Sequence, residues 1–383
     1  MATSGTGTGS RDPSGGPGED PRREVEETLR RCVERRRAQA GSLDAVFGAQ
    51  PAAALADLVL RGGRRTRGAF LWWGWRAAGG DLCGPAAADV LRTAAALELL
   101  QACALVHDDV MDDSALRRGR PSLHADFARR HRQEGMRGSP EAYGRAVAVL
   151  AGDLALVWAD DLFAEALPGG PVRHAAEEVW RAMRAEMVAG QFLDLHIQAA
   201  GGASPAAALR VARLKSALYT VERPLHLGAV LAGGDDRTVG ALRSAGRRAG
   251  LAFQLRDDLL DLFGDPERTG KPAGGDVREG KITYPVALAL ARADACGDDR
   301  ARAVLRESLG DRSLTPRELA RFRDVLTALG VPAAVEERIG RLARSARRRL
   351  ADACDDPPVL RGLADLVRET AGEAGSGGAG EWG

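Results

Sequence analysis

Lysine is almost missing from this chain. Of the 54 basic residues in 383, only Lys215, Lys271 and Lys281 are lysine, and the rest are arginine. A lysine that persists against such a bias marks either a place that needs a compact ammonium or a chance survivor. An excess of one charge is missing too: 54 basic residues meet 53 acidic ones, a formal net charge of +1. That balance excludes a general nucleic-acid binder and leaves anion recognition to local clusters. The five cysteines, Cys32, Cys83, Cys103, Cys296 and Cys354, show no Cys-x-x-Cys spacing for zinc or redox work, and their odd number suits a reducing cytoplasm. No basic-then-apolar leader opens the sequence, and no run of about 18 apolar residues reads as a membrane span. Ser-His-Asp and Cys-His orderings, HExxH, a P-loop and a dinucleotide fingerprint are absent.

What is present is helical. Residues 1–20 and 371–383 have the composition of disordered tails. No Pro/Gly linker divides residues 21–370, so one large all-α domain is expected. Helices are predicted over 21–37, 51–60, 85–113, 144–166, 172–199, 206–232, 239–263 and 281–293, with a polar loop at 130–143. The Gly-rich stretch 264–280, which holds Lys271, is long enough to be a lid or binding loop. Trp72, Trp73 and Trp75 read as core, and residues 300–370 as scaffold.

The informative residues are aspartates. Seven Asp-Asp pairs occur, but only those beginning at Asp108 and Asp257 have a third Asp four residues after the first. On a helix that spacing puts Asp108 and Asp112 within about 40° of each other, with Asp109 beside them. Asp257, Asp258 and Asp261 repeat the arrangement. Like charges at this spacing disfavour a helix, so a cation must offset them. Hard carboxylate oxygens suit Mg²⁺, which binds through one or two carboxylates plus substrate phosphate.

Arginine follows the first cluster as Arg117 and Arg118, whose guanidinium forks match phosphate oxygens. Arg61, Arg64, Arg65 and Arg67, around Gly62 and Gly63, form either an anion cradle or a solvated basic turn. Gln191 and Asp194 lie three apart and face either the same cavity or solvent. A metal nuclease also uses carboxylates with Mg²⁺, but no basic footprint accompanies these. The better fit is an enzyme that withdraws diphosphate from an allylic carbon inside a dry helical pocket, stabilising charge on the leaving group.

This ordered set of motifs resembles the trans-isoprenyl diphosphate synthases, the polyprenyl synthetase family. Asp108-Asp109-Val110-Met111-Asp112 with Arg117-Arg118-Gly119 matches its first Asp-rich motif, and Asp257-Asp258-Leu259-Leu260-Asp261 after Phe253-Gln254 its second. Gly62 to Gly68 parallels a Gly-Gly-Lys-Arg-x-Arg-Pro motif, with Arg64 in place of Lys and Gly68 in place of Pro. Lys215-Ser216 stands for a Lys-Thr pair, Thr269-Gly270-Lys271 for Thr-Gly-Lys, and Lys281 for a later lysine. All three lysines thus fall on family positions.

The resemblance implies a single antiparallel helical bundle around a central active-site cavity, usually homodimeric. It implies that Asp108, Asp109, Asp112, Asp257, Asp258 and Asp261 hold Mg²⁺, three ions with substrate present. Arg117, Lys215, Ser216, Gln254, Lys271 and Lys281, with Gln191 near them, would grip an allylic diphosphate (dimethylallyl, geranyl or farnesyl). Arg64, Arg67, Gln101 and Arg118 would grip isopentenyl diphosphate. In the family, bulky residues one turn before the first Asp stop growth at fifteen carbons. Here Cys103 and Ala104 are small, and Leu100 is the expected next stop, so geranylgeranyl diphosphate is the expected product. Farnesyl or longer synthases, a class I terpene cyclase of the same fold and a non-catalytic partner subunit are the rival readings. The cyclase would carry a different second motif, and such a partner subunit usually loses one Asp cluster.

Overall fold

The computed structural model describes residues 20–265 and 273–373. Residues 1–19 and 374–383 of the two expected tails lie outside the described residues. Asp20 caps the first helix, and Glu373 pairs with Arg347 at 2.6 Å.

Helix starts follow local chemistry. Asp20 accepts from the amides of Arg22 and Arg23 and Pro21 opens α1 (Pro21–Leu43). Proline at a first position needs no amide partner, and an acceptor just before it satisfies the free donors. The same device opens α7 (Pro140–Ala166), where Ser139 is the cap, and α9 (Pro205–Ala212), where Ser204 is. Short α2 (Ala45–Ala49) and α3 (Pro51–Leu60) lead to α4 (Thr66–Ala77), and α5 (Ala86–Met111) follows. Trp72 and Trp75 of α4 are buried, as expected, their rings 5.1 Å apart.

Two apolar clusters carry the bundle. One joins α1, α3, α4, α5 and α7 with α8 (Gly170–Ala200). The other gathers α10 (Arg223–Leu231), α11 (Asp236–Phe263) and the C-terminal helices, α13 (Tyr284–Cys296), α14 (Asp299–Ser308), α15 (Pro316–Ala328), α16 (Val331–Ala351) and α17 (Pro357–Ala371). Among the described residues one helix, α5, is by length and composition apolar enough to cross a membrane, although charged residues interrupt its apolar run. Two thirds of its apolar window is buried within the protein, where it serves as core. The only strands among the described residues are Leu116–Arg117 and Arg120–Pro121, an antiparallel pair. Arg118 (φ 52°) and Gly119 (φ 71°) turn between them, as a two-residue hairpin requires.

Three boundaries depart from periodicity. The polar stretch 130–143 is mostly helix: α6 (Leu123–Gln133) runs into it and α7 begins at Pro140. α6 buries only Leu123, His124, Phe127, Ala128 and His131, too few apolar positions to stand out among its charges. Lys281 does not open a helix. It follows the short α12 (Gly275–Glu279), which Gly280 ends at φ 78°, and its amide donates to the Asp276 carbonyl at 2.8 Å. The expected helix 206–232 is interrupted by a π-helical segment, Arg213–Glu222, between α9 and α10.

Neighbouring glycines admit this wider segment. A Cβ on Gly190 of α8 would stand 2.2 Å from the Lys215 amide nitrogen, and one on Gly250 of α11 would stand 2.2 Å from the Ala217 carbonyl oxygen. The segment's backbone is therefore clasped on two sides by bare glycine faces, which no 3.6-residue pattern reveals. Gly190→Ala should cost about 1–3 kcal/mol by overpacking, whereas Gly240→Ala, which meets open space within α11, should stabilise by about 0.5–1 kcal/mol. Urea unfolding of both variants checks the contrast.

Candidate active site

The last turn of α5 and the last turns of α11 end at one cavity of about 2740 Å³. Asp108, Asp112, Asp257, Asp258 and Asp261 line it. Asp109 does not: it is buried and accepts from Arg117 Nε at 2.9 Å, because one helical step turns it away from its neighbours' face. Its task in this structure is to hold Arg117, which does line the cavity.

Cations are folded in among these acids. Lys215 Nζ lies 3.0 Å from Asp108 and 2.7 Å from Asp194. Lys281 Nζ lies 2.6 Å from both Asp112 and Glu279 and 3.7 Å from Asp276. Burial pushes the Asp108 carboxyl upward, but Lys215 and Lys281 outweigh burial and hold it below its usual range. For Lys215 burial acts to discharge the ammonium, yet Asp108 and Asp194 raise it above its ordinary value. Asp258 of the second cluster is shifted the other way. Burial, aided by the Asp276 carboxylate, pushes Asp258 well above the carboxylate range, despite a hydrogen bond donated by Gln254 Nε2 at 2.8 Å. Burial and Asp261 raise Asp276 to about 7.

Across the cavity stands the basic turn, and it divides in two. Arg64 lies 5.5 Å from the Phe253 ring centre, and Arg67 sits 4.3 Å over Tyr219 and donates to the Thr220 hydroxyl at 3.0 Å. Arg118 donates to the Gly62 carbonyl. Gln101 accepts from the Tyr219 hydroxyl at 2.9 Å. All four line the cavity; the three arginines leave guanidinium donors and Gln101 its amide N–H for an anion. Arg65 is different: at φ 45° it is buried and paired with Glu26 at 2.5 Å and Glu98 at 3.4 Å. It therefore fastens the turn to α1 and α5 and is unavailable to a ligand.

Ser216, Gln191, Gln254, Cys103 and Ala104 also line the cavity. Leu100 does not; it is fully buried in the apolar cluster with Leu97 and Trp158, since each step of four residues drifts about 40° around the helix. The expectation of Leu100 as the next stop is thus corrected. Lys271 lies outside the described residues. Sequence reasoning missed Asp276 and Glu279, whose one signal was their nearness to Lys281 within a loop. It also missed Arg181 and Arg184 of α8 on the cavity wall.

The donors suit a hard divalent cation, because every candidate atom is a carboxylate oxygen. Among the described residues no three acidic, histidine or cysteine side chains converge on one point. That fits an ion completed by substrate phosphate, one or two carboxylates being the usual protein share for Mg²⁺.

Residues 50–323 match the family model described as Polyprenyl synthetase. A geranylgeranyl pyrophosphate synthase structure from Corynebacterium glutamicum, complexed with isoprenyl diphosphate and magnesium, is 38% identical, with a TM-score of 0.86 over 92% of this chain and 99% of that one. A short chain isoprenyl diphosphate synthase of Methanothermobacter thermautotrophicus is 31% identical over 272 residues, 69% of this chain and 74% of the relative. A farnesyl diphosphate synthase of Geobacillus stearothermophilus is 34% identical over 247 residues, 63% of this chain and 75% of the relative.

Because Asp258 carries a raised pKa, the folded state loses stability as pH rises from the unfolded value near 4 through the folded one. Asp258→Asn should therefore stabilise the metal-free protein at pH 8, on the order of 1 kcal/mol, and give no gain near pH 4. Denaturant melts at both pH values, without Mg²⁺, check the sign.

Proposed function

The chain belongs to the polyprenyl synthetase family, and from that premise we propose that this trans-prenyl diphosphate synthase makes geranylgeranyl diphosphate. It would do so by joining isopentenyl diphosphate to an allylic diphosphate with release of diphosphate. One observation carries the reading: two carboxylate-bearing helix ends and a separate set of arginines share one cavity, whose wall below Asp108 is formed by small Cys103 and Ala104. Two anions can be gripped at once, with room beneath one of them for a hydrocarbon tail.

Asp108 and Asp112 on one side, and Asp257, Asp258 and Asp261 on the other, would hold Mg²⁺, three ions with substrate bound. When bound, the metal supplies charge neutralisation at the departing diphosphate. The chain's own residues do the rest. Lys215 and Lys281, now bonded to acids, would turn their ammonium groups to phosphate oxygens as the metal satisfies those acids. Arg117, steadied by Asp109, would add a guanidinium fork, and Ser216, Gln191 and Gln254 would orient the allylic diphosphate. Arg64, Arg67, Arg118 and Gln101 would hold isopentenyl diphosphate across the cavity, its double bond facing the ionising carbon. The apolar wall excludes water from the allylic cation, and the condensation ends with a proton passing to the released diphosphate.

We also read the enzyme as a cytoplasmic homodimer. Val149, Leu150 and Val157 of α7 and Val188 and Phe192 of α8 are large apolar side chains open to solvent, more than single scattered exposures explain. A second copy would cover them and complete the dry pocket. All five cysteines are free, which suits a reducing compartment.

Chromatography of products from dimethylallyl, geranyl and farnesyl primers with isopentenyl diphosphate and Mg²⁺ tests the reaction; a twenty-carbon diphosphate from each is expected. A hydrocarbon formed from geranylgeranyl diphosphate alone would instead make it a cyclase. Asp108→Ala and Asp257→Ala should each lower kcat by about 10²-fold or more. Ala104→Phe should shorten the product to farnesyl diphosphate, and an unchanged product would refute the assigned wall. Sedimentation should return twice the chain mass.

A further inference from the structure

The short α12 ends at Glu279, and this residue is fastened on three sides. Its Oε1 accepts from the Ser114 hydroxyl at 2.8 Å and its Oε2 from Lys281 Nζ at 2.6 Å. Its backbone carbonyl accepts from Gln198 Nε2 of α8. The turn that follows is held from behind as well. The Gly310 amide donates to the Val277 carbonyl at 2.9 Å, and a Cβ on Gly280 would stand 3.3 Å from the Gly310 Cα. With both carboxylate oxygens already engaged, Glu279 is a fixed anion on the cavity wall.

Lys281 bridges this anion and the first Asp cluster. Its ammonium lies 2.6 Å from buried Asp112 and 2.6 Å from Glu279, whereas Asp276 at 3.7 Å is beyond hydrogen-bond reach. Lys215 is shared in the same way, between Asp108 at 3.0 Å and Asp194 at 2.7 Å. Each lysine therefore has one partner in the first Asp cluster and one outside both clusters. An ammonium has three N–H donors and no acceptor. If Asp112 were its single close partner, yielding Asp112 to a cation would strand the ammonium in a half-buried place. Glu279 removes that cost, because one N–H can stay on it while another turns from Asp112 to a phosphate oxygen.

Resting on the prenyltransferase reading above, we propose that Glu279 is a positioning residue that holds Lys281 while Asp112 is released to Mg²⁺. It touches neither the ion nor the substrates and acts through the lysine. Ser114 keeps it in register, because Ser114 sits two residues past Asp112 and so ties Glu279 to the end of α5. The two acids that share the ammonium thus stay at a set distance from each other.

Lysine is scarce enough here for the ammonium itself to be watched. Protein labelled with [¹⁵Nζ]lysine carries three side-chain signals, and the one lost in Lys281→Arg is assigned to Lys281. With inorganic diphosphate present, the wild-type Lys281 signal should move as free Mg²⁺ is raised. Glu279→Gln keeps an acceptor for Ser114 but removes the charge. Its free Mg²⁺ at half-change should be about tenfold higher, the scale of coupling between linked ligands. The Mg²⁺ requirement for turnover should rise with it, while the KM for isopentenyl diphosphate stays in place. Ser114→Ala, which removes only the tie, should keep the wild-type midpoint. In a Lys281→Met background, read on the Lys215 signal, Glu279→Gln should add nothing.

An unchanged midpoint in Glu279→Gln overturns the proposal, as does an equal rise in Ser114→Ala. So does a further rise in the Lys281→Met background, which would make Glu279 a ligand of the ion itself. Should Glu279→Gln not fold, Glu279→Asp, whose shorter arm draws the charge back from Lys281, should raise the midpoint by less, and no rise there is equally fatal. Wild-type lysine signals that ignore Mg²⁺ and diphosphate together would instead overturn the reading beneath it.

Discussion

Two ammonium groups tie the end of α5 to α8 on one side and to α12 on the other. Without Lys215 and Lys281, Asp112, Asp194, Asp276 and Glu279 would lose their close cation and Asp108 would keep the more distant Arg117, 3.7 Å away, so that repulsion would drive these segments apart. The lysines answer with contacts of 2.6–3.0 Å to four of these acids. An ammonium is a point charge on a flexible stem, so it can leave a carboxylate for a phosphate without breaking a bidentate fork. Arginine, used almost everywhere else in this chain, is instead placed where a rigid grip serves: Arg65 under the basic turn, Arg117 on Asp109, and Arg223 on Glu186.

The π-helical segment makes that placement geometrically available. It carries Lys215, Ser216 and Tyr219 and is clasped between α8 and α11 by glycines. Lys215 thereby reaches Asp108 and Asp194, on two different helices, while Tyr219 stays buried beneath Arg67 with its hydroxyl on Gln101. Long π segments are rare and gather at functional sites. Here the strain of the wider turn is absorbed by close packing and serves to bring Lys215, Ser216 and Tyr219 to one cavity.

Much of this was legible in the sequence. The helical class, the two Asp clusters and the spacing between them and the lysines follow from residue order, because a triad at i, i+1 and i+4 has one sensible geometry. What periodicity could not show is which residue turns away: Asp109 left the cavity through the 100° step of the helix, and Leu100 through the 40° drift of each four-residue step. Arg65 could not be told from Arg64 and Arg67 by composition, since its left-handed backbone and its pairing with Glu26 and Glu98 depend on helices distant in sequence. Asp276 and Glu279 lay in a loop whose path no pattern predicts.

The central claim is that acids and lysines exchange partners when metal and diphosphate arrive together. Calorimetric titration of the wild-type protein with inorganic diphosphate, with and without Mg²⁺, tests it most directly. Diphosphate should bind tightly only with Mg²⁺, and Mg²⁺ should bind more tightly with diphosphate by the same factor, as linkage requires. Equal diphosphate affinity in excess chelator would contradict the account.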